Sequence, residues 1–240
     1  MNLVLLHGFG GGPENWGEFQ SLLGWHGSVQ ALTLPGHGGK DVISLEAWLG
    51  GTEIPENSVV LGYSMGGRLA TLLAEKQQRA GRPLRGLILV SSGLGVSADR
   101  AQRAQEDAAW AALLRADSTA FWHQWYAQEI FRSFREGNFS GKSRWLILRG
   151  DQDAGRLAAA LESFGPAAHR PLERVLAGQI GCPLLYIAGE SDKKYAAVAS
   201  RVRELVPAAR VRIITGAGHV IPVEAPAELA RAVKDFVTLL

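Results

Sequence analysis

The sequence predicts an α/β fold with a mostly parallel sheet of about six strands flanked by helices. Short apolar runs, several of them uninterrupted, recur along the chain and alternate with stretches whose apolar residues follow helical spacing. A continuous apolar run is typical of a strand buried on both faces, as in a parallel sheet covered by helices. Alternating strands and helices imply right-handed crossovers between neighbouring strands. The predicted strands are Leu3–Leu6, Val29–Leu32, Val59–Leu61, Gly86–Val90, Leu184–Ala188 and Arg210–Ile214.

Length and composition are those of a single globular protein. A chain of 240 residues with 47% hydrophobic and 20% charged residues can bury one sizeable core. Its net charge of +2 argues against nucleic acid or a membrane surface as a partner. No apolar run approaches the roughly 20 residues of a membrane helix, and no signal peptide is evident. With the single cysteine, Cys182, the sequence indicates a cytoplasmic protein. We expect a monomer or a weak homo-oligomer, although no sequence pattern determines the oligomeric state.

The most informative stretch is the turn around Ser64. The apolar run Val59–Leu61 leads into Gly62-Tyr63-Ser64-Met65-Gly66, and a helical pattern follows. Gly-x-Ser-x-Gly between a strand and a helix is the nucleophile elbow of an α/β-hydrolase-type fold, because the glycines leave room for a turn that lifts the serine hydroxyl above the sheet. The helix that follows directs its N–H groups and positive dipole end at charge that forms nearby.

A serine hydroxyl needs an imidazole to take its proton and an acid to orient that imidazole. In this fold the chain order is serine, acid, histidine. His219 follows the last predicted strand and Asp192 follows the strand before it, so both lie at strand ends where ligands bind. Asp151 and Asp153 are alternative acids, but they fall in a stretch that is predicted to be a helical insertion. We predict a catalytic triad of Ser64, Asp192 and His219.

A Gly-rich loop, residues 7–12, follows the first strand. It lacks the Gly-Lys-Ser/Thr of a phosphate-binding loop, so the better interpretation is half of an oxyanion hole. The backbone N–H groups of Phe9 and Met65 are predicted to form that hole. His37, in a Pro-Gly turn, is interpreted as stabilising the turn. No His, Cys, Asp or Glu cluster has the spacing of metal ligands, so we expect neither a metal nor another cofactor.

Residues 95–176 differ in character from the rest of the chain. Apolar residues recur there at helical spacing, and aromatic residues are frequent. We predict a helical cap inserted after the strand 86–91, above Ser64, with residues 1–94 and 177–240 forming the core. Most of the aromatic side chains are interpreted as packing within the cap.

Motifs along nearly the whole chain resemble those of the 2-succinyl-6-hydroxy-2,4-cyclohexadiene-1-carboxylate synthase (MenH) family, a menaquinone-pathway branch of the α/β-hydrolase superfamily. The shared stretches are His7-Gly8-Phe9, Leu34-Pro35-Gly36-His37-Gly38, Gly62 to Arg68, Gly93-Leu94, Arg103 with Asp107 and Trp110, Trp125-Tyr126 with Phe131, Gly189 to Tyr195, and Ala217-Gly218-His219. The chain departs from the family pattern at His169-Arg170, where Gln-Pro is common, and at Val220-Ile221-Pro222, where a polar residue is common. The sequence also begins at the strand before His7, without the preceding pair of strands that is usual in the superfamily. We therefore expect a sheet of about six strands.

The resemblance implies a lyase that eliminates pyruvate from 2-succinyl-5-enolpyruvyl-6-hydroxy-3-cyclohexene-1-carboxylate, with the triad acting as a base. A polycarboxylate substrate needs cations, which Arg68, Arg103 and Lys194 would supply. Each of the three has a solvated surface position as its alternative. Further candidates for lining the pocket are Tyr63, Trp125 and Tyr126.

Other functions use the same residues. A carboxylesterase or thioesterase would use the triad for acyl transfer, and a C–C bond hydrolase would act on dienones. A ligand-binding module that has kept the fold without catalysis is a third alternative. Neutral esters need no cations, and an intact triad argues against a pure binder, so the lyase is the preferred interpretation.

Overall fold

The protein, described here by a computed structural model covering residues 1–96 and 98–240, is built on one six-stranded sheet. The strands follow the spatial order β2-β1-β3-β4-β5-β6, and every neighbouring pair is parallel. Their bounds are Asn2–Leu6 (β1), Val29–Leu32 (β2), Ser58–Tyr63 (β3), Gly86–Val90 (β4), Leu184–Gly189 (β5) and Arg210–Ile214 (β6). The predicted strands are therefore confirmed to within one or two residues.

Helices connect the strands and cover both faces of the sheet. Their bounds are Gly17–Leu23 (α1), Leu45–Gly51 (α2), Met65–Arg79 (α3), Arg100–Ala116 (α4), Ser118–Ala127 (α5), Arg132–Glu136 (α6), Lys142–Gly150 (α7), Ala154–Phe164 (α8), Glu173–Gly178 (α9), Lys193–Leu205 (α10), Ile221–Glu224 (α11) and Pro226–Val237 (α12). Two 3-10 turns, Pro13–Trp16 and Glu129–Phe131, precede α1 and α6. Across the described residues, no helix is both long and apolar enough to cross a membrane.

The core lies on both sides of the sheet because the side chains of each strand alternate. In β1, Leu3 and Leu5 pack on one face with α1 and α12, whereas Val4 and Leu6 pack on the other with α2, α3 and α10. All four side chains are at most 1% exposed, which explains why the strand reads as an unbroken apolar run.

Helices α4 to α9 all fall between β4 and β5. A small cluster of their apolar side chains packs together, with Phe121 stacked on Trp125 at a ring distance of 5.3 Å. Residues 145–148, whose apolar pattern resembles a strand, lie within α7. Asp153 caps α8 by accepting a hydrogen bond from the Arg156 N–H, so its carboxylate is occupied away from His219.

Candidate active site

Ser64 lies on a strained turn between β3 and α3. Its φ of 51° and ψ of −111° are rare for a residue with a side chain, and its own N–H is held by the Val90 carbonyl oxygen at 2.9 Å. The turn places the serine at the N-terminus of α3 and at the carboxyl edge of the sheet. Such strain at a strand–helix junction is typical of a nucleophile elbow.

The glycines of this turn are needed because the backbone passes close to other strands. A methyl group at Gly66 would overlap the carbonyl oxygens of Leu6 and His7, which are backbone atoms that cannot swing aside. We expect Gly66→Ala to destabilise the fold by about 3 kcal/mol and to displace Ser64. Gly50→Ala is the matched control, because Gly50 has open space at its missing Cβ in a helix. Urea unfolding of both variants checks this, and equal stabilities would contradict it.

The three predicted triad residues meet above the sheet. His219 Nε2 lies 3.2 Å from Ser64 Oγ, and His219 Nδ1 lies 2.7 Å from Asp192 Oδ2. Asp192 also caps α10, because its Oδ1 accepts a hydrogen bond from the Tyr195 N–H at 3.1 Å. His219 and Asp192 are each 2% exposed, so their hydrogen bond is shielded from water. This arrangement can carry a proton from the serine to the imidazole.

A carboxylate that the sequence interpretation missed holds the loop carrying His219. Glu224 accepts hydrogen bonds from the backbone N–H groups of Gly218 and Val220, both at 2.7 Å, and from Ser133 Oγ at 2.6 Å. The two N–H groups flank the histidine, so Glu224 fixes the backbone on both sides of it. An acidic residue at the end of a short helix gives no sequence signal for this role.

Ser64 and His219 open onto a cavity of about 100 Å³. The residues that line it come from both the sheet edge and the segment between β4 and β5: Phe9, Ser64, Met65, Arg68, Arg103, Trp125, Gln128, Ile130, Phe131, Leu161, Gly165, Pro166, Lys194, Tyr195 and His219. The structure therefore gathers most of the predicted site residues around one space. Gln128, Phe131 and Tyr195 also line it, and the sequence alone predicts no role for them.

Two predicted pocket residues lie elsewhere. Among the described residues, those that line the cavity do not include Tyr63 or Tyr126. The Tyr63 ring packs behind the triad, 5.5 Å from the His219 ring and against Gly8. The Tyr126 hydroxyl accepts a hydrogen bond from Trp145 Nε1 at 3.0 Å. Successive side chains at a turn or on a helix point in different directions, which explains why neither tyrosine borders this cavity. A role for them with substrate stays a prediction.

The predicted cations Arg68, Arg103 and Lys194 share the cavity wall. Burial lowers the pKa of Arg68 to about 10, so its guanidinium stays charged at neutral pH. Arg103 pairs with the buried Asp107 at 2.8 Å. Burial, followed by the nearby Arg103, lowers the pKa of Lys194. In the part of the chain that the structure describes, Asp107 is the one carboxylate that forms an ion pair with any of these three cations. The wall therefore favours an anionic ligand.

Arg149 is a buried cation that the sequence interpretation did not single out. It stacks over the Trp145 ring at 3.7 Å and donates to the Trp145 carbonyl oxygen at 2.9 Å. A Cβ added at Gly10 would lie 3.2 Å from the Arg149 Cγ, so the stem of Arg149 borders the loop that carries Phe9. Burial lowers its pKa. A basic residue within a helix is ordinarily solvated, and no sequence pattern marks this one as buried.

Two histidines brace the loop that carries Phe9. His37 Nε2 accepts a hydrogen bond from the Gly10 N–H at 3.0 Å, and His7 Nε2 accepts one from the Leu34 N–H at 3.1 Å. His37 Nδ1 also lies 2.9 Å from the Pro35 carbonyl oxygen, which confirms its predicted role in that turn. Phe9 and Met65 both border the cavity, and their proposed oxyanion hole stays a prediction.

The parallel sheet, the strained serine turn and the histidine–aspartate pair at neighbouring strand ends define a protein of the α/β-hydrolase class. The sequence profile described as "Alpha/beta hydrolase family" matches residues 3–232. The predicted fold class is thereby confirmed.

Comparisons with known sequences and solved structures identify the family of this chain within the α/β-hydrolase class. Proteins from Shigella dysenteriae serotype 1 and Salmonella agona, both named 2-succinyl-6-hydroxy-2,4-cyclohexadiene-1-carboxylate synthase, are each 32% identical to this chain. The matches cover 94% and 99% of this chain and 89% and 94% of those proteins. MenH from S. aureus superposes with a TM-score of 0.88 at 26% identity, over 100% of this chain and 94% of that one. An esterase from Thermogutta terrifontis superposes with a TM-score of 0.80 at 23% identity, over 100% of this chain and 90% of that one. At this identity the likeness shows the fold alone. The chain therefore belongs to the 2-succinyl-6-hydroxy-2,4-cyclohexadiene-1-carboxylate synthase (MenH) family.

Proposed function

We propose that this protein is a carbon–oxygen lyase of menaquinone biosynthesis. It eliminates pyruvate from 2-succinyl-5-enolpyruvyl-6-hydroxy-3-cyclohexene-1-carboxylate to give 2-succinyl-6-hydroxy-2,4-cyclohexadiene-1-carboxylate, the compound in the names of its relatives. The observation that carries this proposal is a Ser–His–Asp arrangement opening onto a cavity whose wall holds Arg68, Arg103 and Lys194. A substrate with several carboxylates matches this charge, whereas a neutral ester has no need of it.

The triad acts as a base in this reaction and forms no acyl-enzyme. The ring carbon that bears the succinyl group adjoins a carbonyl, so its proton is acidic. Ser64 Oγ takes this proton while His219 Nε2 accepts the serine's own proton, and Asp192 stabilises the resulting imidazolium. The electron pair moves onto the carbonyl oxygen, where the N–H groups of Phe9 and Met65 donate to the enolate.

Collapse of the enolate completes the elimination. The carbonyl re-forms, the electron pair shifts through the ring double bond, and the C–O bond to the enolpyruvyl group breaks. The leaving group departs as enolpyruvate, which takes a proton and becomes pyruvate. Arg68, Arg103 and Lys194 hold the carboxylates of substrate and leaving group throughout, which keeps the ring proton within reach of Ser64.

Residues 95–176 serve as the cap of this site, with residues 1–94 and 177–240 as its core. In support, Arg103, Trp125 and Leu161 of this segment line the same cavity as Ser64. A cavity of about 100 Å³ is smaller than the ~300 Å³ or more usual for ligand sites, so we expect the cap helices to shift when substrate enters. The protein acts in the cytoplasm as a monomer or weak homo-oligomer.

Pyruvate release tests the proposed function. The precursor is generated in place by the preceding enzyme, and pyruvate is followed with wild type, Ser64→Ala and Arg68→Ala, beside hydrolysis of short acyl esters. We expect Ser64→Ala to lower kcat about a thousandfold, because the proton relay is broken. Arg68→Ala should raise KM roughly tenfold or more, because the substrate loses one charged contact.

The matched controls are Ser143→Ala and Arg144→Ala, at exposed positions of α7. Both should leave pyruvate release at the wild-type rate. Brisk ester cleavage that depends on Ser64, without pyruvate release by the wild type, would sink the lyase proposal and indicate an esterase.

A further inference from the structure

Arg68 is held by two hydrogen bonds from the segment between β4 and β5. Its Nε–H donates to His169 Nε2 at 3.0 Å, and its Nη2 donates to the Phe164 carbonyl oxygen at 3.0 Å. Within residues 1–96 and 98–240, no carboxylate forms an ion pair with this guanidinium. A buried cation without a counter-charge is costly unless its donors are paired. The contacts to His169 and Phe164 therefore decide where Arg68 lies.

These contacts occupy one edge of the guanidinium. The Nε–H and the neighbouring Nη2–H lie side by side, and the remaining N–H groups of Nη1 and Nη2 form the far end of the planar group. Arg68 lines the cavity together with Ser64 and Lys194. Because the edge formed by Nε and Nη2 is held by these hydrogen bonds, the Nη1/Nη2 end is the part that can form a bidentate pair with a carboxylate in the cavity.

His169 accepts from Arg68 as a neutral imidazole. Its Nδ1 lies 2.9 Å from the Arg170 carbonyl oxygen, so Nδ1 carries the proton and Nε2 offers its lone pair. Burial, followed by the nearby Arg68, lowers the pKa of His169 to about 4. The charged groups around it are Glu46 of α2, Arg68, Glu75, Lys76 and Arg79 of α3, Arg100 of α4, and Arg170. This predominantly cationic environment opposes a second proton on the ring.

We propose that His169 is a positioning residue, which holds Arg68 so that its Nη1/Nη2 end faces the cavity and binds a substrate carboxylate. The identity of that substrate rests on the proposed function, whereas the contact does not. A side chain that merely supports folding would change stability without changing the affinity of the site for carboxylates. A glutamine side chain at this position would also carry an acceptor for the Nε–H of Arg68.

Kinetics of two His169 variants test the proposal. His169→Leu removes the acceptor, and His169→Gln supplies another. We expect His169→Leu to raise KM about tenfold or more and to change kcat less than about threefold, because a substrate carboxylate keeps its charge in the transition state. His169→Gln should recover most of the lost affinity. The control His123→Leu, at an exposed position of α5, should match wild type. Equal KM values for wild type and His169→Leu overturn the proposal.

A double-mutant cycle separates positioning from general stabilisation. In an Arg68→Ala background, His169→Leu should cause no further rise in KM, because the group that it positions is gone. A rise of the same size as in the wild-type background overturns the proposal.

Nitrogen-15 NMR tests the contact without catalysis. In the wild type, the Arg68 Nε–H should exchange with solvent about a hundredfold more slowly than that of the exposed Arg144. Similar exchange at the two arginines overturns the proposal, even if His169→Leu fails to fold. If the wild-type Arg68 Nε–H exchanges slowly but the protein releases no pyruvate, the contact with His169 is supported and the proposed function is contradicted.

Discussion

Replacing Asp192 by asparagine is expected to lower kcat for pyruvate release about ten-thousandfold. The Asp192 carboxylate has two jobs: Oδ2 faces His219 Nδ1 at 2.7 Å, and Oδ1 accepts from the Tyr195 N–H at 3.1 Å. Asparagine can keep only one acceptor. If its oxygen serves Tyr195, its NH₂ group faces Nδ1, which then has to accept and moves the ring proton to Nε2. That tautomer cannot take a proton from Ser64.

The opposite orientation of the asparagine amide is no better, because its NH₂ group would face the Tyr195 N–H, and two donors would meet at the start of α10. Asp153→Asn is the matched control: Asp153 also caps a helix, but it does so through the Arg156 N–H and away from His219. Steady-state pyruvate release with both variants, after checking that they unfold at similar temperatures, measures the effect. Retention of even a tenth of the wild-type kcat by Asp192→Asn would contradict this role.

The sheet and the order of the triad could be predicted because each leaves a local pattern. Strands buried on both faces are mainly apolar, as Leu3 to Leu6 of β1 and Val59 to Leu61 of β3 are, so their positions follow from the sequence. Ser64 lies in a turn that only a few residue types permit, and His219 and Asp192 follow strands. Since parallel strands end at one edge, these side chains were expected to meet there.

The rest of the site depends on tertiary contacts that leave no local pattern. His169 and Arg68 are 101 positions apart, and neither lies in a motif that links them. Arg149 has the pattern of a solvated helix residue, yet it is buried against Trp145. Tyr63 adjoins Ser64 in the chain, but its ring packs against the His219 ring at 5.5 Å and is not among the described residues that line the cavity. Such directions are decided by packing.

Three buried histidines, His7, His37 and His169, share one hydrogen-bond pattern. Each Nδ1 lies 2.8 or 2.9 Å from a backbone carbonyl oxygen, and each Nε2 accepts from an N–H donor at 3.0 or 3.1 Å. A neutral ring with its proton on Nδ1 satisfies both contacts, whereas a second proton on Nε2 would oppose the donor. Burial lowers the pKa of His37 and His169 to about 4 and that of His7 well below its usual value.

From these lowered pKa values we expect the folded state to be less stable in mild acid than at neutral pH. An unfolded histidine takes up a proton near pH 6.5, whereas His37 and His169 in the folded chain do so only near pH 4. The unfolded state therefore binds more protons between these values, so stability present above pH 6.5 is lost as pH falls toward 4. Between pH 7 and pH 5 His37 and His169 should each contribute a loss of about 2 kcal/mol, and His7 adds a further loss in the same direction. That is a large part of the ~5–15 kcal/mol typical of a domain.

Urea unfolding at pH 7 and at pH 5 measures this loss. His37→Asn should be less stable than wild type at pH 7, because the Gly10 N–H loses its acceptor. Its free energy of unfolding should nevertheless fall by about 2 kcal/mol less than that of wild type on going to pH 5, since the variant lacks the His37 ring that the fold keeps neutral. His123→Asn, at an exposed histidine, should show the full wild-type loss. A change between the two pH values that is the same in His37→Asn and wild type would contradict this prediction and would mean that groups other than His37 take up the protons.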